Sequence, residues 1–167
     1  MRKLEEKIEI NTSTQAVWEV MADFGSAATW APDMLQSGLK GDKKTGVGTY
    51  RVLRHAWGFR IEEIVTEWSD GAGYSFELVK APFPMRDVHE IWVLKPADSH
   101  ALLTITVSYD MRLGLLGALL DAVLVRFVVA REIRLGICGL KHHVEKKLAK
   151  TVSNPHPASQ DPDTLVD

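Results

Sequence analysis

The stretch from Met34 to Met111 most constrains the fold, because apolar and polar residues alternate along it in short segments. Alternation of this kind is typical of β-strands that bury one face. Turn-forming residues separate the segments, which fall near residues 34–41, 47–56, 59–68, 73–80, 86–95 and 100–111. Strands joined by such short turns are antiparallel neighbours, and the stretch offers no helix to cover a parallel sheet. The sequence therefore predicts a six-stranded antiparallel meander.

One more strand and two short helices are predicted ahead of the meander. Apolar and charged residues alternate over residues 3–10, and only Glu6 places a carboxylate on the apolar side. Residues 11–14 end this strand and offer N-caps for an amphipathic helix that runs to Gly25. A second short helical turn is expected over residues 26–30.

A single long helix is predicted from Gly114 to Lys150. Apolar residues recur along it at helical spacing. They are Leu119, Val123, Ala130, Ile133, Ile137, Leu140, Val144 and Leu148. The first half is apolar almost all round, interrupted only by Asp121 and Arg126, so we expect it to be the most enclosed part of the helix.

These elements define an α+β fold, in which a curved seven-stranded antiparallel sheet wraps around the long helix. The chain is long enough for one domain and short for two, so we predict one domain over residues 1–150. Residues 151–167, rich in proline, serine and aspartate, are predicted to form a flexible tail. One helix cannot fill the concave face of such a sheet with its side chains, so a cavity suited to an apolar ligand should remain.

The composition excludes some classes of function. A net charge of -2 argues against nucleic acid as a partner, which would need a concentrated basic face. The single cysteine, Cys138, rules out an intrachain disulfide, and the first residues lack the apolar core of a signal peptide. We therefore expect a cytoplasmic protein with no integral membrane segment.

Short motifs along the chain resemble those of one superfamily. They are I-E-I-N at residues 8–11 with V-W at 17–18, W-A-P at 30–32, G-V-G-T-Y-R at 46–51 and E-I-V-T-E-W at 63–68. In this order they resemble the helix-grip proteins, which form the START, birch-pollen-allergen and polyketide cyclase/dehydrase (SRPBCC) superfamily. The resemblance spans roughly residues 3–149. It implies the helix-grip fold, which hosts carriers, receptors and enzymes, and so leaves the function open.

Arg51 is the first candidate for a polar contact with a ligand. It alternates with Thr49 and Leu53, so it enters the cavity if that face of its strand is concave. A guanidinium there can grip a carboxylate or a polarised carbonyl, a role that the resemblance to aromatase/cyclases of this superfamily implies. The competing interpretation is a structural salt bridge with Glu6 or Glu62, since buried charges are usually paired.

The alternation in strand 59–68 leaves its inner face open. Either Glu62 faces inward together with Arg60 and Ile64, or the intervening set that contains Glu63 does, because a shift of one residue exchanges the two faces. We expect Glu62 inside, since this places a carboxylate near Arg51. A solvated carboxylate is the alternative.

Other candidates are aromatic or titratable. Tyr74 and Phe76 share one strand face, and Tyr109 lies on another apolar face. A tyrosine hydroxyl in an apolar cavity needs a hydrogen-bond partner, although plain core packing would also explain these residues. His89 could serve as a general acid or base in the cavity, while a surface or core histidine is the more common arrangement.

No cofactor or metal is expected. Cys138, His142 and Glu145 share one helix face, but structural zinc needs four ligands and no supporting motif is present. The sequence also contains no phosphate-binding loop, dinucleotide fingerprint or nucleophile elbow.

The leading hypothesis is the binding or carriage of a hydrophobic small molecule, aromatic, polyketide-like or lipid. The predicted contacts are Trp30, Arg51, Leu53, Glu62, Tyr74, Phe76, His89, Tyr109, Leu119, Val123 and Phe127. One alternative is an enzyme of the polyketide cyclase/dehydratase type, in which Arg51 stabilises an enolate oxygen and His89 or Glu62 moves protons. A further alternative is a module that dimerises, or docks on a partner or a lipid surface, through the apolar stretch 115–130.

Overall fold

The computed structural model describes residues 1–153. Its elements are β1 (Arg2–Ile10), α1 (Thr14–Met21), a 3₁₀ helix (Phe24–Thr29), β2 (Met34–Leu39), β3 (Tyr50–His55), β4 (Arg60–Ser69), β5 (Gly73–Lys80), β6 (Met85–Ala97), β7 (His100–Met111), α2 (Gly114–Leu120), a π-helical segment (Asp121–Val125) and α3 (Arg126–Ser153). The strands form one antiparallel sheet in the order β1-β7-β6-β5-β4-β3-β2. The predicted meander and the seven-stranded sheet are confirmed, and the structure places β1 beside β7.

The short elements after β1 form for local reasons. The Ser13 hydroxyl accepts a hydrogen bond from the Ala16 amide at 3.3 Å and so caps α1. α1 buries Val17 and Trp18 and packs on β6, β7 and α3. The exceptional carboxylate of β1, Glu6, accepts a hydrogen bond from Arg134 Nε at 2.8 Å, which explains why it is tolerated on the apolar side.

The long C-terminal helix, Gly114–Ser153, consists of α2, the π-helical segment and α3. Asp121 in the π-helical segment is buried and anchors the helix to the sheet. Its carboxylate accepts hydrogen bonds from the Tyr109 hydroxyl at 2.6 Å and from Arg2 Nε at 2.7 Å. Of the predicted tail, residues 151–153 continue α3, and residues 154–167 lie outside the described residues.

The two halves of this helix have opposite environments. In α3, Ile137, Leu140 and Val144 are buried, and Gly139 lies so close to the Trp30 carbonyl oxygen that a Cβ would not fit. In the first half, Leu119 is 62% exposed. The expected enclosure of the first half is therefore wrong, because α1 covers α3 instead.

The π-helical segment explains why the predicted apolar stripe fails at its start. A π turn holds more residues than an α turn, so it rotates the preceding residues relative to the following helix. The inward face therefore continues through Val125 and Ile133, which are buried, while Val123 is 68% exposed. Within the described residues, no helix is both long and apolar enough to cross a membrane.

Candidate ligand-binding cavity

A cavity of about 360 Å³ lies between the concave face of the sheet and the C-terminal helix. Its wall is mainly apolar. The sheet contributes Leu53, Ile61, Phe76, Ile105 and Val107, the helix contributes Val125, Val128, Val129 and Ile133, and Trp30 and Ala31 lie between them. The volume lies at the lower end of the usual range for small-molecule sites.

An ion pair between Arg51 and Glu63 forms one polar part of the wall. The two residues are direct cross-strand partners, and both side chains are buried. Arg51 donates from Nε to Glu63 Oε2 at 2.7 Å and also from its Nη2 to the same oxygen. Its Nη1 donates to the Phe24 carbonyl at 2.8 Å, and the guanidinium lies 3.8 Å from the centroid of the Phe24 ring. The pair therefore places a fixed charge pattern in an apolar cavity.

The electrostatics of Glu63 are set by two opposing effects. Burial raises the pKa of its carboxyl above the ordinary value, and the Arg51 guanidinium acts in the opposite direction. Because the charges of Arg51 and Glu63 offset each other, a charged ligand group would find no unpaired counter-ion in this pair. This favours a ligand with a neutral polar end.

Glu90 is the second acidic group of the cavity. It is surrounded by protein atoms but keeps some exposure, because it faces the cavity. Burial raises its pKa to about 7, and the nearby Glu63 acts in the same direction. Trp92 Nε1 donates a hydrogen bond to Glu90 Oε2 at 3.0 Å. Near neutral pH this carboxyl exchanges between a hydrogen-bond donor and a carboxylate acceptor.

Trp30 adds a potential donor at the same wall. Its side chain is 9% exposed and its ring centroid lies 6.0 Å from that of Trp92. Among the described residues, Nε1 of Trp30 has no hydrogen-bond partner. A buried donor without a partner costs about 1–3 kcal/mol, so this tryptophan would gain from a small rearrangement that lets it meet an acceptor in the cavity.

His55, Asp33 and Glu132 lie at one end of the cavity. His55 Nε2 lies 3.0 Å from Glu132 Oε2, and Arg131 contacts both acidic residues. Ligand atoms of the three residues lie within 4.8 Å of one another, as a cation would require. However, the amide of Trp57 donates to His55 Nδ1 at 3.1 Å, so the proton of a neutral imidazole is on Nε2. This tautomer donates to Glu132 and has no lone pair left for a metal.

Four of the predicted contact residues line the cavity, namely Trp30, Arg51, Leu53 and Phe76. Tyr74 is buried beside it, stacked between Trp68 and Trp92 with centroids 5.6 and 5.8 Å away. Tyr109 instead binds Asp121. These two tyrosines therefore stabilise the core and the helix anchor, and they are not part of the cavity wall.

The remaining predicted contacts lie elsewhere. Leu119, Val123 and Phe127 are exposed on the first half of the C-terminal helix. His89 lies on the other face of β6, because Val88, Glu90 and Trp92 occupy the inner face and line the cavity. The candidate proton-transfer role of His89 within the cavity is therefore not compatible with its position.

The prediction that Glu62 faces the cavity is also wrong. It lies on the outer side of β4, where it accepts a hydrogen bond from Arg60 Nε at 3.0 Å. The inner face is the set that contains Glu63, and the partner of Arg51 is therefore Glu63 rather than Glu6 or Glu62. The sequence contained a signal for this choice. Glu63 alternates with two aliphatic residues, Ile61 and Val65, whereas the residue two positions before Glu62 is charged.

A curved antiparallel sheet that grips one long helix and leaves an apolar cavity beneath it defines a helix-grip protein. The chain belongs to the family described as polyketide cyclase / dehydrase and lipid transport, which it matches over residues 1–145. The resemblance to the SRPBCC superfamily is thereby confirmed. Membership supports hydrophobic-ligand binding in general terms and specifies no ligand.

Solved structures show the same fold at low sequence identity. TTHA0849 from Thermus thermophilus superposes with a TM-score of 0.72 at 15% identity, covering 87% of this chain and 99% of that one. An uncharacterized protein from Bacillus thuringiensis gives 0.68 at 20% identity, with 86% and 98% covered. Ara h 8.0201 gives 0.68 at 12% identity, with 87% and 98% covered. No curated protein is similar enough in sequence to count as a match.

Proposed function

We propose that the protein binds and carries one hydrophobic small molecule with a neutral polar end, aromatic, polyketide-like or lipid. The observation that carries this proposal is the apolar cavity with Arg51, Glu63 and Glu90 grouped on its wall. The apolar surface would supply affinity, and the grouped polar atoms would fix the orientation of the ligand.

The size of the cavity limits the ligand. A volume of about 360 Å³ lies near the lower end of the range for small-molecule sites. This suits an aromatic compound of two or three rings, or a single acyl chain, better than a whole diacyl lipid. A carbonyl or hydroxyl oxygen on the ligand would pair with protonated Glu90 or with Trp30 Nε1.

Filling the cavity should weaken ligand binding without unfolding the protein. Val129→Phe adds bulk to a half-buried side chain on the cavity wall, and we expect it to weaken the binding of naphthol, a neutral two-ring probe, by about tenfold or more. Isothermal titration calorimetry measures the affinity and should show one site on the unsubstituted protein.

Val123→Phe is the matched control, since it makes the same change on the same helix at a side chain that is 68% exposed. Its affinity for naphthol should stay within a factor of about two. Equal weakening by both variants, or naphthol binding at several equivalent sites, would contradict the proposal. Separately, native mass spectrometry of the purified protein would identify any ligand carried from the cell.

A second candidate, an enzyme of cyclase or dehydratase type, is favoured by one specific observation. Glu90 faces the cavity with a pKa raised to about 7, a value suited to a general acid or base at neutral pH. Since His89 and Glu62 lie outside the cavity, this role would pass to Glu90, with Arg51 near the developing enolate oxygen.

Proton abstraction next to a carbonyl tests this candidate directly. An enzyme of this type should accelerate deuterium uptake at the carbon between the carbonyls of an aromatic 1,3-diketone, followed by NMR. Glu90→Gln should reduce the rate by about a hundredfold or more, because general acid–base catalysis contributes on that scale. If neither protein accelerates deuterium uptake, and Glu90→Gln still binds naphthol, carriage remains as the function.

A further inference from the structure

The cavity opens at a surface that is unusually apolar. Trp57, Phe59, Phe83 and Leu124 line the cavity and are all at least 40% exposed, so they surround its mouth. Leu115 is 92% exposed on the adjoining α2. Single exposed apolar residues are ordinary, whereas a contiguous group of large ones marks an interaction site.

Three segments bring these side chains together. The turn between β5 and β6 carries Phe83 and is tied to the start of α2, because the Arg112 amide donates to the Pro84 carbonyl at 2.9 Å. The turn between β3 and β4 carries Trp57 and is tied to α3 through His55 and Glu132. We call residues 54–60, 80–87 and 112–127 together the mouth surface.

The charge of the mouth surface differs from that of the whole chain. Its segments contain six basic and two acidic residues, although the net charge of the protein is -2. Of the acidic residues, Asp121 is buried and bound to Arg2. Within residues 1–153, Arg112 and Arg126 have no carboxylate partner, and both are exposed.

The β3–β4 turn adds a pair of like charges. Arg54 and Arg60 are direct cross-strand partners and are both exposed. Arg60 also donates to Glu62 at 3.0 Å, so this pair is partly compensated and the surplus positive charge lies mainly at Arg112 and Arg126. A polyanionic partner would complement that surplus, whereas a second copy of this chain would bring the same arginines against one another.

We infer that the mouth surface docks on a membrane that contains anionic phospholipid. Exposed tryptophan, phenylalanine and leucine side chains would enter the boundary between headgroups and acyl chains. Arginines among them would contact the lipid phosphates. The helix lies on the bilayer and does not cross it, since Asp121 and Arg126 interrupt its apolar stretch. Docked in this way, the mouth of the cavity faces the lipid.

Flotation with vesicles tests this inference. The protein should float with vesicles of phosphatidylcholine and phosphatidylglycerol in a two-to-one mixture and bind more weakly to phosphatidylcholine alone. The double variant Leu115→Glu/Leu119→Glu should bind the mixed vesicles about tenfold more weakly or worse. Arg112→Gln/Arg126→Gln should lose much of the preference for phosphatidylglycerol and of the salt sensitivity.

Val47→Glu is the matched control. Val47 is 52% exposed and lies in the β2–β3 loop, at the end of β3 opposite the mouth surface, so its change should leave flotation unaltered. Light scattering after gel filtration distinguishes a second copy as the occupant. A dimer that Leu115→Glu/Leu119→Glu separates, without vesicle binding by the unsubstituted protein, would overturn the inference, as would equal binding to both kinds of vesicle by every variant.

This inference does not rest on the proposed function. Val129→Phe alters the cavity wall and leaves the exposed side chains of the mouth surface in place. It should therefore lose naphthol binding and keep vesicle binding. A protein that binds naphthol but no vesicles overturns the membrane inference alone, and one that binds vesicles but no ligand overturns the carrier proposal alone.

Discussion

Arg51→Met should lower the free energy of unfolding by about 3–5 kcal/mol, because it leaves the buried Glu63 without its cation. It also removes the donor to the Phe24 carbonyl. The unpaired carboxyl can escape part of this cost by taking up a proton, so the loss should be larger at about pH 8 than at about pH 5. Urea unfolding followed by circular dichroism measures both effects.

A double substitution separates the cost of an orphaned charge from the value of the pair. Arg51→Met/Glu63→Leu replaces both ions by apolar groups of similar size and should recover most of the lost stability, since a buried ion pair rarely outperforms well-packed apolar residues. Recovery despite loss of the pair would show that the pair adds little net stability. A single variant as stable as the unsubstituted protein would show that Arg51 is solvated.

Glu90→Gln should change how stability depends on pH, with an effect of about 2 kcal/mol. The pKa of Glu90 is about 7 in the folded protein and near 4.5 when exposed. Between these values the folded protein holds a proton that the unfolded chain has released. Stability contributed by protonated Glu90 is therefore complete below about pH 4.5 and is lost as the pH rises through about 7.

The magnitude follows from the size of the shift. A change from 4.5 to about 7 corresponds to about 3 kcal/mol at most. Because Glu90 keeps some exposure through the cavity, we expect about 2 kcal/mol. The neutral glutamine lacks this penalty, so the variant should gain stability relative to the unsubstituted protein between about pH 4.5 and about pH 8.

Other carboxyls also make stability depend on pH, so the two proteins are compared under the same conditions. The pKa values of Glu62 and Asp110 are lowered, which gives stability changes of the opposite sign, and they occur equally in both proteins. A constant difference in stability across this pH range would show that Glu90 is already ionised, and the acid–base candidate would lose its support.

The site was only partly predictable, and the misses have two physical causes. Arg51 could be assigned to the inner face because Leu53 shares its face. Glu62 and Glu63 are adjacent carboxylates on opposite faces, and the aliphatic neighbours of Glu63, Ile61 and Val65, were the signal that favoured Glu63. Glu90 shares the inner face with Val88 and Trp92 through regular alternation, and the prediction chose the opposite face, which carries His89.

The C-terminal helix shows the other cause. Apolar residues recur at helical spacing on both sides of Asp121, so the apolar stripe predicted from Leu119 onwards was continuous. The π-helical segment breaks that continuity, and within it Asp121 is held by Tyr109 and Arg2, which are far away in sequence. Contacts between distant residues therefore decide which apolar side chains face the cavity and which face outward.

The amino-acid sequence by itself determined the order of the strands, their antiparallel pairing, the long helix and the presence of a cavity, because alternation, turns and helical spacing are local properties. Tertiary structure alone decided that Glu63 meets Arg51, that Glu90 lies in the cavity, and that Leu115 and Phe83 share an exposed surface. These outcomes depend on strand register, on a π turn and on contacts between distant residues. A shift of one residue in register is enough to exchange the side chains that face inward.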